Sequence, residues 1–332
     1  MKKWFVVVAF VVVWVAGCAS VGMRSDGTIQ PRLDLKEGQA FHGSVTQVQN
    51  ITMTMMGMTI EQSRTSEFLV TLRVKSVAGG EAEVEYTFDD ASMSSTTRMP
   101  EMDNNVQDNA ADKIFEALKG FTFTVVLRSN GEVVRVEGGD RMVDVLVDAI
   151  PGQDPASRAM LAKEMRKVMS DETLRDMMLP SMSVYPDQAV RVGESWAKTF
   201  DVKAGFPHRA NHTITLSQVE KNMAKLNGRS EIVPLEGGST MEFLGMKLTM
   251  EMKGLETYEA SMDLRTGMVM HLEGTGEMDG RMMINFDNMD EKTKAQMGGA
   301  QDPWAALLAG GMPLHVKIHQ VFTLKKGERK SQ

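Results

Sequence analysis

Residues 68–74 read Phe-Leu-Val-Thr-Leu-Arg-Val, and this stretch decides the fold class because apolar residues recur at every second position. A period of two is that of a β-strand with one buried face. The same alternation runs through residues 41–88, with a predicted turn at Gly79-Gly80 before a strand at residues 82–86. These segments indicate antiparallel strands.

Two further patterns extend this reading along the chain. Residues 121–136 form two alternating runs separated by Asn130-Gly131, and this dipeptide favours a tight hairpin because both residues tolerate positive φ. Before them, apolar residues at helical spacing predict a helix over residues 112–119, which Gly120 ends.

The apolar period changes between residues 140 and 179, which predicts two or three helical pieces with breaks at Pro151 and near Ser170. Asp154-Pro155 is typical of a helix start, with an N-cap acid followed by first-turn proline. A strand pattern returns at residues 189–196 and continues to about residue 286.

The remaining patterns predict a last helix within residues 290–308 and a closing strand at residues 315–324. The fold class is therefore expected to be α+β, with curved antiparallel β-sheets and inserted helices.

An internal repeat is suggested by residues 127–138 and 264–274, which both read as hairpins ending in Glu-Gly. Duplication and the independent recurrence of a common hairpin both explain the match, and duplication would give two repeated half-barrel-like units. The predicted organisation is a signal peptide (1–17), a lipidated cysteine and tether (18–32), a first β-rich repeat (33–139), a helical connector (140–188), a second β-rich repeat with the late helix (189–326) and a basic tail (327–332).

The N-terminus has the features of a secretion signal: two lysines precede an apolar run at residues 4–15. That run is shorter than the roughly 20 apolar residues that span a bilayer. The tetrapeptide Val-Ala-Gly-Cys at residues 15–18 resembles the lipobox of bacterial lipoproteins, which implies cleavage between Gly17 and Cys18 and a diacylglycerol on the Cys18 sulfur. A plain secretory signal and an uncleaved anchor are the alternatives.

The lipobox resemblance also implies a location. Ala19 and Ser20 after the cysteine resemble those of lipoproteins sorted to the outer membrane, in cells that have one. We therefore expect a cell-envelope protein attached to the membrane through its N-terminal lipid. Cys18 is the one cysteine of the chain, so an internal disulfide is excluded.

Three segments carry a resemblance to a known family: Lys-Glu-Gly-Gln-Ala-Phe at residues 36–41, the hairpin at residues 120–133, and Gly-Glu-Ser-Trp at residues 193–196. Together they resemble an uncharacterised family of bacterial envelope lipoproteins, known only as a domain of unknown function. The lipidated, helix-interrupted antiparallel sheet is also similar, by topological analogy, to LolA/LolB-like lipoprotein carriers, whose half-barrel holds acyl chains. Such an analogy concerns the fold and not the activity.

The chain contains 30 methionines, many of them in predicted strands. Core packing explains them, because thioethers fill irregular gaps. An adaptable apolar cavity is a second explanation, and a thioether site for Cu(I) or Ag(I) is a third. Strand alternation places several methionines on shared faces, and the candidate ligand-lining set is Met53, Met55, Met246, Met250, Met252, Met268 and Met270.

Catalytic and cofactor motifs are not recognised in the sequence. Residues 193–196 depart from the Gly-x-Ser-x-Gly elbow, since Ala197 replaces the second glycine, and Trp196 is expected to anchor the start of a strand. His208 and His212, four residues apart on a predicted strand, are expected to be packed or surface side chains, as are His315 and His319. We predict no enzyme, no cofactor and no metal site built on histidine.

Composition narrows the function further. The chain is 42% hydrophobic with a net charge of −7, and it lacks the positive stripe of a nucleic-acid-binding protein. The expected function is non-catalytic binding of a hydrophobic ligand or an envelope partner. A structural or assembly lipoprotein is the alternative, and methionine-based Cu(I) or Ag(I) binding is a third.

Overall fold

The computed structural model describes residues 26–327, apart from 56–57, 101–103, 109, 183, 203–206, 236–238, 244–245 and 286–310. The predicted signal peptide with Gly17 and Cys18, the predicted helix within residues 290–308 and nearly all of the basic tail lie outside the described residues. Their predictions therefore stay predictions.

One antiparallel sheet contains the thirteen strands of the described residues. The strands are β1 (Ala40–Met55), β2 (Met58–Ala78), β3 (Glu81–Met99), β4 (Asn104–Asp108), β5 (Thr122–Arg128), β6 (Val133–Glu137), β7 (Ser195–Val202), β8 (His208–Glu220), β9 (Met223–Val233), β10 (Ser239–Phe243), β11 (Met246–Asp263), β12 (Val269–Asn285) and β13 (Met312–Lys326). Their order is β6-β5-β3-β2-β1-β13-β12-β11-β9-β8-β7, while β4 pairs with β3 and β10 with β11.

The middle of the sheet joins the two predicted β-rich units. Strand β1 pairs with β13 from Phe41 opposite Lys326 to Met53 opposite Leu314. The expectation of curved antiparallel structure with inserted helices is confirmed, and the curved sheet is single and unclosed. The duplication into half-barrels stays a prediction.

The two predicted turns, at Gly79-Gly80 and Asn130-Gly131, are present in the structure. Gly79 and Gly80 both adopt positive φ between β2 and β3. The β5–β6 hairpin turns at Asn130-Gly131, where Gly131 has φ 84°. A Cβ on Gly131 would also fall 2.3 Å from Cδ2 of Tyr185, so this position requires glycine for conformation and for space.

Four helices lie among the described residues: α1 (Ala110–Glu116), α2 (Gly139–Asp148), α3 (Pro155–Val168) and α4 (Asp171–Met182). The predicted breaks near Pro151 and Ser170 are confirmed. Asp154 caps α3 by accepting hydrogen bonds from the backbone N–H groups of Ala156 and Ser157. None of these helices has the length and apolar character needed to cross a membrane.

Two predicted boundaries are wrong. Ile29, placed in the tether, is 1% exposed and pairs with Val190 through backbone hydrogen bonds in both directions, so the folded part begins before Leu33. The strand predicted from residue 189 begins only at Ser195, because a turn with Gly193 at φ 91° intervenes.

The inner face of the sheet, defined here by its buried side chains, carries two apolar clusters. The main core lies where helices α2, α3 and α4 cover the sheet, and α4 contacts both edge strands, β6 and β7. The smaller cluster consists of Ile51, Met252, Leu314 and Val316, with Met53, Met278 and Ile318 packed against it. The candidate site lies between these two clusters.

Candidate ligand-binding cavity

Two neighbouring cross-strand rows on the inner face bring polar side chains together between the two apolar clusters. The Glu256 row runs in register through Gln49, Ile318, Gly276, Glu256, Ser230 and His212. The Tyr258 row, one inward position away, runs through Gln47, Gln320, Gly274, Tyr258 and Gly228. Partners in such a row lie about 5 Å apart on adjacent strands.

The order of residues along β13 shows how the rows divide the face. Val316 belongs to the smaller cluster, Gln320 to the Tyr258 row, and Phe322 to the main core. Strand β11 repeats this order with Met252, Glu256 and Met262. The polar rows therefore form a boundary between the helix-covered core and the smaller cluster.

A partly open cavity of about 180 Å³ lies at this boundary. A cavity of roughly 150 Å³ lined by aliphatic side chains is large enough to hold benzene. The apolar wall consists of Met177, Val202, Ala210, Ile232, Met252, Leu272, Met278, Leu314, Val316 and Ile318. The polar lining includes Gln47, Gln49, His208, His212, Ser230, Glu256, Tyr258 and Gln320.

Glycines on the inner face make room for the large side chains of the site. The ring of Tyr258 lies over Gly228, and Glu256 leans over Gly276, where an added Cβ would be 2.9 Å from Cγ of Glu256. On β12, Gly274 and Gly276 leave part of the sheet surface without side chains. This surface lies between Gln320 on β13 and Glu256 on β11. Alternating glycines in a strand are typical of such close approaches.

Glu256 lines the cavity, and its overall exposure is intermediate. Burial away from bulk water raises the pKa of its carboxyl group to about 7, because the charged form loses hydration. The same burial, with the Glu256 charge as a second cause, raises the pKa of Tyr258. Glu256 therefore changes charge near neutral pH.

His212 shows the opposite shift. Its ring is 3% exposed and packs edge-on against Phe200, with a centroid separation of 4.8 Å. Burial is the main cause that lowers the pKa of His212 to about 4, and the nearby charge of His208 contributes. At neutral pH His212 is thus an uncharged member of the lining.

Two buried polar groups in the lining make no hydrogen bond within the described part of the chain: Oγ of Ser230 and Nε2 of Gln320. These residues are 1% and 8% exposed. Buried polar groups ordinarily have partners, so both groups retain unused hydrogen-bonding capacity beside the cavity. Ser230 makes no hydrogen bond to His212, although an activated serine nucleophile needs such a contact.

The predicted methionine set divides between the cavity and the core. Met252 lines the cavity, and Met53 packs in the smaller cluster beside it. Met250 is 8% exposed, whereas Met268 and Met270 pack in the main core, away from the cavity. The side chains of Met55 and Met246 lie outside the described residues. Met177 and Met278 also line the cavity and were not in the predicted set.

The other predicted site elements are structural in the described residues. Trp196 packs against the main core as expected. The ring of His315 contacts the carboxylates of Glu277 and Asp279, and the ring of His319 contacts that of Glu273, at the surface of the sheet. No group of three or more His, Cys, Asp or Glu side chains with metal-binding geometry occurs in the described ranges.

Sequence reasoning missed Glu256, Ser230 and Gln320. A usable signal was present at residues 274–280, which read Gly-Thr-Gly-Glu-Met-Asp-Gly, with glycine at every second position except Met278. Alternating glycine in a strand marks close approach on one face, but the residues that approach come from other strands.

Comparison with known proteins places the chain in a family. The sequence profile of DUF6263, a family of unknown function, matches residues 79–269, which is more than half of the chain. The chain belongs to DUF6263. Two of the three segments that suggested an uncharacterised family, residues 120–133 and 193–196, lie within this match. The envelope-lipoprotein character stays a prediction, and no curated protein matches the chain.

This DUF6263 chain shows distant likeness to several solved structures. Lipovitellin, in a structure describing its lipid–protein interactions, aligns with a TM-score of 0.44 and 10% identity over 90% of this chain, which spans only 26% of the lipovitellin chain. The translocator domain of the autotransporter NalP from Neisseria meningitidis aligns at 0.21 with 7% identity, over 87% of this chain and 90% of that domain. A DUF1329 protein from Desulfovibrio piger aligns at 0.12 with 8% identity, over 89% and 88% of the two chains. These scores are too low to establish a shared fold.

Proposed function

We propose that this protein is a non-catalytic binder of an amphiphile, held at a bacterial envelope membrane by a lipid on Cys18. The observation that carries the proposal is the cavity itself, in which the smaller apolar cluster and the two polar rows meet. An apolar chain packs against the cluster, and a polar head group faces the rows. This arrangement matches the general design of ligand pockets, which combine apolar walls with a few placed polar groups.

The driving force for binding is the removal of apolar surface from water, worth about 25 cal/mol per Å². Met252, Met278 and the aliphatic side chains of β13 supply that surface. Thioether side chains adapt to chains of different shape, which suits a binder of several related amphiphiles. The lipid on Cys18 keeps the cavity close to the membrane from which such ligands come.

An assembly role has less support from the described surface. The large apolar side chains that are well exposed there, namely Leu69, Val77, Met160 and Val192, lie on β2, α3 and the turn before β7. These side chains come from three separate elements, whereas a protein interface is marked by a continuous apolar patch.

Binding is tested with the full-length chain purified in a fluorinated surfactant, whose tails mix poorly with hydrocarbon. We expect co-purifying amphiphiles in native mass spectrometry and saturable fluorescence of the uncharged probe N-phenyl-1-naphthylamine. Val316→Trp fills the cavity and is expected to abolish both signals, and Met252→Gln is expected to weaken them. Lys317→Trp, on the exposed outer face of the same strand, is the matched control. Unchanged probe binding in both cavity variants would exclude this site.

The anchor is tested separately. Incorporation of radiolabelled palmitate into the wild-type chain, and its loss in Cys18→Ser, is the expected result. Labelling that persists in Cys18→Ser would remove the lipoprotein assignment while leaving the cavity unaffected.

A further inference from the structure

The charged side chain that lines the cavity is acidic. Among the described residues that line it, Glu256 is the one acidic side chain, and neither lysine nor arginine is present. A ligand head group that enters this space exchanges water for the partly buried Glu256 carboxylate and for neutral hydrogen-bonding groups. Charge interactions are stronger in such a partly dry environment than at an exposed surface.

The neighbours of Glu256 define what a head group meets there. Ser230 is its in-register partner on β9, and its hydroxyl makes no hydrogen bond within the described chain. On the other side Gly276 presents only backbone, so the space toward Ile318 on β13 carries no competing polar side chain. The carboxylate and the hydroxyl together can accept hydrogen bonds from a donor placed between them.

Resting on the binding function proposed above, we propose that the cavity selects amphiphiles with a protonated amine at the head over carboxylates of equal chain length. An ammonium group donates hydrogen bonds to the Glu256 carboxylate and to Oγ of Ser230 and forms a buried ion pair. A carboxylate head would lie beside a like charge without a cationic partner among the described lining residues. Removing a charge from water without a partner is strongly unfavourable.

The other titratable groups that face Glu256 set the conditions of the test. His212 is two strands away in the same row, and its lowered pKa keeps it neutral above about pH 6. Tyr258, on the same strand, stays protonated because its pKa is raised. His208 also lines the cavity, and its positive charge when protonated would favour a carboxylate. The measurement is made at pH 8, where imidazole side chains are ordinarily uncharged.

The experiment displaces N-phenyl-1-naphthylamine from the full-length chain with dodecylamine, dodecanol and dodecanoate. The two ionic amphiphiles are kept below their critical micelle concentrations and dodecanol below its solubility limit. At pH 8 the wild type is expected to bind dodecylamine at least tenfold more tightly than dodecanoate. In Glu256→Gln the two affinities should agree within about twofold, with dodecanol unchanged. Glu259→Gln removes the same negative charge as Glu256→Gln, but from a side chain on the exposed outer face of β11. This control variant should still bind the amine at least tenfold more tightly than the carboxylate.

The outcomes separate this inference from the binding function. Equal affinities of amine and carboxylate in the wild type, or a preference that survives Glu256→Gln, would overturn the inference while binding itself stands. Failure of the probe and of all three amphiphiles to bind would overturn the binding function. If Glu256→Gln does not fold, the comparison is made in His208→Gln, which lacks the lining imidazole: its preference for the amine should fall severalfold from pH 8 to pH 6, and a constant preference would overturn the inference.

Discussion

The ring of Tyr258 lies across Gly228 on the neighbouring strand, so closely that a Cβ on Gly228 would fall 1.9 Å from Cζ of the ring. Tyr258 is 8% exposed and lines the cavity. Because glycine at position 228 has no side chain, the Tyr258 ring can lie over this part of the sheet and form part of the cavity wall.

Gly228→Ala is expected to destabilise the protein by about 1 to 3 kcal/mol, the usual cost of overpacking a filled region. The added methyl group must displace the Tyr258 ring, so probe binding should weaken as well. Urea unfolding and N-phenyl-1-naphthylamine titration measure the two effects. Asn227→Ala, on the exposed outer face of the same strand, should change neither. Equal unfolding free energies for Gly228→Ala and wild type would contradict the contact.

Glu256 makes stability depend on pH in a defined window. Its pKa is about 7 in the folded protein against an ordinary 4.5, so between these values the folded state binds more protons than the unfolded state. The free energy of unfolding should therefore fall as pH rises from about 4.5 to 7. Glu256→Gln should remove this fall and leave the protein about 1 to 3 kcal/mol more stable at pH 8. A pH profile identical to that of the wild type would contradict the burial of Glu256.

His212 acts in the opposite direction. Its pKa is about 4 when folded against an ordinary 6.5, so the unfolded state takes up the proton first on acidification. Stability should fall as pH is lowered from about 6.5 to 4. Because this window overlaps that of Glu256, the measurement belongs in the Glu256→Gln background, where adding His212→Gln should flatten the acid limb. If the free energy of unfolding of the double variant still falls as pH is lowered from about 6.5 to 4, groups other than His212 cause that fall.

The methionines of the cavity and the core should respond differently to truncation. Met252→Ala enlarges a partly open site, so it should weaken probe binding severalfold with a modest loss of stability. Met268 is 1% exposed in the main core. Met268→Ala should lower the free energy of unfolding by about 2 to 5 kcal/mol, and the folded protein should keep its probe affinity. Chemical denaturation and titration of both variants test the division, and equal effects on binding would contradict it.

Local chemistry made the hairpins and helix boundaries predictable. Asn130-Gly131 and Asp154-Pro155 each specify a backbone conformation through neighbouring atoms, and the structure contains both features where predicted. Ile29 was misplaced because its burial depends on Val190, a partner far away in the chain. No local pattern reports such a pairing.

The site was less predictable than the fold for the same reason. Met252 lies within β11 and Met268 follows the turn before β12. The sequence does not show that the first lines a cavity and the second packs in the main core, because both outcomes depend on residues far away in the chain. Glu256, Ser230 and His212 meet because three strands share one register. A slip of one residue in either pairing would turn a member of the row to the outer face.

The pairing of β1 with β13 sets the order of events during folding. The two strands at the centre of the sheet come from opposite ends of the described sequence, so the middle of the sheet closes only after nearly all of the chain is available. Contacts of such high sequence separation slow folding and leave strand edges exposed in the meantime. Removal of β13 would leave two half-sheets, with β1 and β12 each presenting an unpaired edge.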